Sequence, residues 1–155
     1  MNKVVSDSGY TIETASELVE KFKLLYNTLN ANTCESGLIS MVYAEEMEFI
    51  DCFHHIKTIE EFNRYCASIY ENVQHCQFTF HEEFIKPEAA MLTWTMEYMH
   101  PKLNAGDMIY VNGSSHIKFN EKVYYHKDYV DGGELLYEHI PVLKRIIKFL
   151  KNRMV

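Results

Sequence analysis

The chain has 155 residues, of which 47% are hydrophobic and 24% charged, with a formal net charge of −7. That length can close one core or pocket without covalent staples, so a single domain over residues 1–155 is expected. The negative charge argues against broad nucleic-acid binding, and no apolar stretch approaches the ~20 residues of a membrane span. The opening MNKVVSDSGYTIE lacks the apolar core of a secretory signal, which makes the cytoplasm the expected location.

Taken in chain order, the first periodic segment runs from Thr14 to Asn30. Thr14 and Glu17 have capping-box spacing, and Leu18, Phe22, Leu25 and Leu29 recur on one helical face beside Val19 and Tyr26. ESGLISMVYA predicts a shorter helix with Leu38, Ile39, Val42 and Tyr43 inward. EMEFID then alternates, Met47, Phe49 and Asp51 to one side and Glu46, Glu48 and Ile50 to the other. Thr58 and Glu61 suggest a second capping box, opening a helix whose apolar stripe is Ile59, Phe62, Cys66, Ile69 and Val73.

Beyond this helix the period changes to two. CQFTFHEEFI places Cys76, Phe78, Phe80 and Phe84 on one face, AAMLTWTMEYM is a second strand, and HPKLNAGD is a turn. MIYVNGSSHIKF is a third strand, with Ile109, Val111, Ser115, Ile117 and Phe119 sharing a face, and NEK turns into KVYYHKDYVDGG. Helices followed by hairpin-linked strands indicate an α+β fold with the helices on one face of a curved, mainly antiparallel sheet. Glu134 to Arg153 is helical in pattern but interrupted by Pro141.

The four cysteines, Cys34, Cys52, Cys66 and Cys76, have no C-x-x-C spacing. Reduced, mostly buried thiols are expected, and neither a disulfide framework nor a metal site has ligand spacing in its favour. The last segment is basic: Lys144, Arg145, Lys148, Lys151 and Arg153 have no acid among them, and setting these five aside takes the rest of the chain from −7 to −12. Leu143, Ile146, Ile147 and Leu150 lie opposite the lysines. The expected arrangement is an apolar stripe packed on the body with solvated lysines. The alternative is a docking helix for an acidic partner or an anionic membrane.

LYNTLNANT, MEFIDCFHHIKTIEEF, GSSHIKF and VYYHKDYVD, in that order and at that spacing, resemble the SnoaL-like group of the nuclear transport factor 2-like superfamily over about Phe22 to Glu138. The resemblance implies a cone-shaped α+β barrel whose bent sheet wraps a ligand pocket, with a core of about residues 14–138 and a basic C-terminal helix over 139–155. Such cones host cofactor-free isomerases, cyclases, dehydratases and hydrolases, and also members without catalysis, so the fold does not decide the activity. On the residues, the ketosteroid isomerase general base matches Asp51, whereas its two oxyanion-hole donors fall at Leu25 and Ser115. That particular isomerisation is therefore not supported. Cys52 stands where the family usually has proline, and His54 where many members also carry histidine.

The resemblance places His126, Asp128 and Val130 on the pocket side of the last strand, with Lys127 and Tyr129 away. It assigns proton transfer to Asp51, His126 and Asp128, and ligand contact to Tyr26, Phe49, His54, Trp94, Ser115, Ile117 and Val130. The implied ligand is a small, largely apolar molecule, with no cofactor, and a homodimer through the sheet is expected. Blander roles remain open at each position. Asp51 suits a turn cap, His126 with Asp128 a satisfied pair in the wall, Trp94 plain packing, and a one-residue register change would turn Glu97 inward instead.

Overall fold

The computed structural model describes residues 11–154; the first ten residues of the N-terminal stretch discussed above lie outside them. Helix α1 (Ile12–Thr28) begins earlier than the spacing suggested, because Thr11 is the cap. Its hydroxyl accepts from the Thr14 backbone N–H, and the Thr14 hydroxyl answers at the Thr11 N–H. Thr14 is thus the third helical residue, not the cap. Ala15, Leu18, Val19, Phe22 and Leu25 are its buried face. Helix α2 (Leu38–Val42) follows Gly37, whose φ of 85° lies where L side chains are strained, and buries Ile39 and Val42.

Strand β1 (Tyr43–Ile50) turns Met47 and Phe49 into the core, as the alternation required, and Tyr43, expected on the preceding helix, is buried as the strand's first residue. A short strand without a sequence signal, β2 (His55–Thr58), pairs antiparallel with it. Helix α3 (Ile59–Tyr70) is capped by the Thr58 hydroxyl, which accepts from the Glu61 N–H. The return arm differs from a capping box, because the Glu61 carboxylate accepts from the Lys57 N–H. Phe62 and Cys66 are buried as the stripe predicted, but Tyr70 completes the face while Ile69 stays exposed. The helix ends at Tyr70, so Val73 packs on the core from the following loop.

The sheet is completed by β3 (His75–Lys86), β4 (Ala89–Met99), β5 (Ile109–Phe119) and β6 (Val123–Val130). The strand order is β2-β1-β6-β5-β4-β3; all neighbours are antiparallel except the parallel pair β1 and β6. The sheet is curved and unclosed, and α1 and α3 lie in its concavity against β3 and β1.

In β3 the alternation breaks. Phe80 pairs with Trp94 but Glu83 pairs with Leu92, so one extra residue is inserted between them. Beyond that bulge the faces exchange: Phe84, expected inward, is exposed, and Ile85 packs on the core instead. Strand β4 keeps its register through the hairpin. Leu92, Trp94 and Tyr98 are buried, whereas Glu97 turns out to meet His75 at 3.1 Å. Trp94 lies directly across Gly113 of β5, where a Cβ would sit 2.4 Å from the indole ring, so the glycine makes room for the tryptophan.

After β6, Asp131 caps the short helix α4 (Gly132–Leu135) through the Gly133 and Glu134 N–H groups. A 3₁₀ turn over Tyr137–His139 leads to α5 (Pro141–Asn152), with Pro141 in the first turn, where its missing N–H costs nothing. Here the expected packing fails. No residue of α5 is buried, and the segment it rests on is the preceding 3₁₀ turn. The four cysteines are free thiols, Cys34 and Cys66 buried, Cys76 half-buried and Cys52 exposed.

Candidate functional site

Between the helices and the concave sheet lies a cavity of about 290 Å³. Its wall is aromatic, built by Phe49, Phe62, Tyr65, Phe78, Trp94 and Tyr98. Leu135 and Leu136, just after β6, also line it. Two carboxylates reach this apolar space, Asp51 from the end of β1 and Asp128 from β6.

Asp128 belongs to a continuous hydrogen-bonded chain. His126 precedes it by two residues on the same face of β6, and its Nε2 lies 2.7 Å from Asp128 Oδ1. The other ring nitrogen, Nδ1, is 2.7 Å from the Tyr43 hydroxyl, which is 2.8 Å from that of Tyr26. A carboxylate only accepts, so Nε2–H donates to Asp128; Nδ1 then accepts from Tyr43, and Tyr43 in turn from Tyr26. On the other side, the Ser115 hydroxyl donates to Asp128 Oδ1 at 2.5 Å and accepts from the Trp94 Nε1–H at 2.9 Å. Both donors converge on Oδ1. Among the described residues Oδ2 has no hydrogen-bond partner, and the side chain is 17% exposed on the cavity wall.

Burial, then the neighbouring phenol and the Asp128 charge, holds the Tyr26 hydroxyl proton well above the usual range. Burial and the Asp128 charge do the same at Tyr43, against the hydrogen bond from Tyr26. Both phenols therefore stay protonated and keep the polarity of the chain. His126 is wholly buried, ringed by Phe22, Phe49 and the two tyrosines at centroid distances of 5.1 to 6.1 Å.

Asp51 is held differently. Its Oδ1 accepts the backbone N–H groups of Phe53 and His54 at 2.7 and 2.6 Å, and its Oδ2 accepts the Tyr65 hydroxyl at 2.7 Å. His54 Nδ1 lies 3.1 and 3.3 Å from the two oxygens, and its ring packs at a 55° tilt against Tyr65, with centroids 4.6 Å apart. A carboxylate offers about four lone-pair sites, and all are engaged within the protein. Burial, and next the hydrogen bond to Asp51, raises the Tyr65 phenol above its ordinary value, so it too remains a donor.

Of the residues assigned to the ligand, Tyr26, Phe49, His54, Trp94 and Val130 line the cavity together with Asp51 and Asp128. His126 and Ser115 stand one layer behind, reaching the cavity only through Asp128. Ile117 does not line it: its side chain is fully buried in the main hydrophobic core, one layer along β5 from Ser115. Leu25, at the family's tyrosine position, is also core, while its neighbour Tyr26 supplies the phenol. Tyr43 and Tyr65 were missed as polar partners. Tyr43 looked like one more inward residue of a short helix, and Tyr65 flanks the α3 stripe without belonging to it. Among the described residues no three His, Cys, Asp or Glu side chains are grouped so as to hold a metal ion.

No family model matches the sequence, and no curated protein matches it. Solved structures do match in shape. A candidate SnoaL-like polyketide cyclase from Jannaschia sp. CCS1 superposes with a TM-score of 0.67 at 11% identity, covering 82% of this chain and 93% of that one. An LEH-like epoxide hydrolase from M. tuberculosis gives a TM-score of 0.66 at 10% identity, over 86% and 96% of the two chains. A protein with a ketosteroid isomerase-like fold from Catenulispora acidiphila DSM 44928, solved with trimethylamine, gives 0.66 at 12% identity, over 79% and 92%. With its helices seated in a curved six-stranded sheet around an aromatic cavity, the chain shares the cone-shaped α+β fold of these structures.

Proposed function

We propose that this protein binds a small, largely apolar and planar molecule in the cone and catalyses cofactor-free proton transfer on it, by isomerisation, cyclisation or dehydration. The aromatic wall supplies binding through burial and ring stacking. Asp128 carries the proton. The single observation behind this is its asymmetry: Oδ1 is fixed by His126 and Ser115 while Oδ2 is left to the cavity. A carboxylate so oriented can take a proton from carbon or oxygen of a bound ligand and return it at another position. His126, Tyr43 and Tyr26 orient it and answer the change in its charge, and Ser115 is itself fixed by Trp94.

Hydrogen–deuterium exchange at carbon tests this without knowledge of the product. Planar apolar ketones and enones that raise the melting temperature would be incubated with the protein in D₂O and followed by NMR. Deuterium incorporation at the carbon next to the carbonyl, lost in Asp128→Asn while ligand stabilisation persists, is the expected result. Stabilisation without exchange for every ligand found would leave a binding module. That second reading has its own support, since Asp51, Tyr65 and the Trp94 N–H are already satisfied within the protein.

A homodimer through the outer sheet face is a further part of the proposal. Tyr110 and Tyr129 are exposed there, with Lys127 over the Tyr129 ring. Light scattering on the purified chain should give twice the monomer mass, and a monomer at all concentrations would remove it.

A further inference from the structure

Helix α5 presents an apolar face that the body does not cover. Val142, Ile146, Phe149 and Leu150 are 68%, 49%, 59% and 55% exposed, and only the flank of the stripe, Leu143 and Ile147, is half-buried. At about 100° per residue the six positions form an apolar arc roughly 160° wide. Lys144, Arg145, Lys148 and Lys151 fill the opposite side, and no acidic residue occurs between Pro141 and Val155. Lys151 is paired with Glu138, and the Arg153 guanidinium lies 5.6 Å from the Phe149 ring. Among the described residues Lys144, Arg145 and Lys148 have no ion-pair partner.

We propose that α5 is a docking helix for an anionic lipid surface, lying in the plane of the headgroups with Val142, Ile146, Phe149 and Leu150 sunk among the acyl chains. Three features select lipid. The apolar arc is continuous and mostly exposed, every charge on the polar side is cationic, and no turn of the helix mixes charges as specific protein docking commonly does. At 12 residues the helix is far too short to span a bilayer, and no helix among the described residues is long and apolar enough to cross one. The acidic remainder of the chain does not prevent docking. Charge more than about 8 Å from the surface is screened at physiological salt, whereas the helix cations would touch it. The segment leading into α5 also lines the cavity through Leu135 and Leu136, so a docked helix would hold that wall near the lipid. Docking itself does not depend on what the cavity holds.

The test is flotation of the full chain with phosphatidylcholine vesicles, with and without phosphatidylglycerol, at low and high salt. Binding to the phosphatidylglycerol vesicles alone, weakening steeply with salt, is expected. Phe149→Ser should reduce it about tenfold, and each of Lys144→Gln and Lys148→Gln about fivefold. All three sites are exposed, so an unchanged urea midpoint confirms that the variants fold. No flotation, equal flotation with neutral vesicles, or full binding by Phe149→Ser would overturn the proposal. So would concentration-dependent self-association that Phe149→Ser abolishes, because the face would then be covered by a second copy.

Discussion

The two carboxylates of the cavity stand in contrasting surroundings. Asp51 lies just beyond a strand end, where the chain must reverse into β2, and its oxygens are used up holding that reversal: two backbone N–H groups, a phenol and an imidazole. Asp128 lies within a strand, where the ladder already satisfies the backbone, so its partners are side chains alone and they crowd one oxygen. A carboxylate at a turn is recruited by local backbone; one in a strand is free to be aimed. The same residue type in one cavity thereby becomes a structural clamp in one place and a candidate proton carrier in the other.

That contrast is sharpest in turnover. With any ligand that shows exchange, Asp128→Asn should reduce the rate by about 100-fold or more, whereas Asp51→Asn should stay within about tenfold and chiefly loosen the turn. Equal losses in the two variants would erase the distinction. In stability the order is set by burial. His126→Ala strands Tyr43, Tyr26 and Asp128 around a new hole and should cost about 3 kcal/mol in urea unfolding. A cost below about 1 kcal/mol would mean the chain of hydrogen bonds is not formed as described.

Gly113→Ala tests the wall behind Asp128 without touching its polar atoms. The added Cβ must displace the Trp94 ring and with it the hydrogen bond to Ser115, for about 1–3 kcal/mol. A neutral substitution would show that the indole has room to move. On the Asp51 side, Tyr65→Phe removes one donor of four and should cost only about 1 kcal/mol.

The smallest effect is one of slope. Burial raises the phenols of Tyr26, Tyr43, Tyr65 and Tyr70 above their ordinary 10.0 and pushes the Cys66 and Cys76 thiols up to about 12 and about 11. Unfolded, these groups lose protons from about pH 9 to 10, where the folded chain still holds them, so the unfolded state binds fewer and stability falls as pH rises. Their contribution is complete below about pH 9 and is lost above it. Urea unfolding between pH 8 and 11 should show the decline, shallower in a Tyr26→Phe, Tyr43→Phe variant than in Tyr65→Phe, since the Asp128 wall carries two such phenols and the Asp51 turn one. A flat profile would contradict the burial of all of them.

The amino-acid order alone determined the elements that rest on local chemistry. The 3.6-residue stripes located α1 and α3, the alternation of β1 and β5 placed Met47, Phe49 and Ser115 on the inner face, and Pro141 separated α5 from what precedes it, because period and proline geometry act over a few neighbours. It also brought Asp51, His126 and Asp128 into view, through motif order. What only the tertiary structure decided depends on residues far apart in the chain. The β3 bulge, invisible in CQFTFHEEFI, exchanged Phe84 for Ile85 because strand pairing with β4 sets the register. Tyr43 became the partner of a histidine 83 positions away, and Tyr65 that of an aspartate 14 positions away, since a side chain's hydrogen-bond partner follows from packing. The apolar stripe of α5 was plain in the sequence. Whether it would be covered was not, because amphipathicity states that a helix has two faces and leaves to the assembled surface what the apolar one meets.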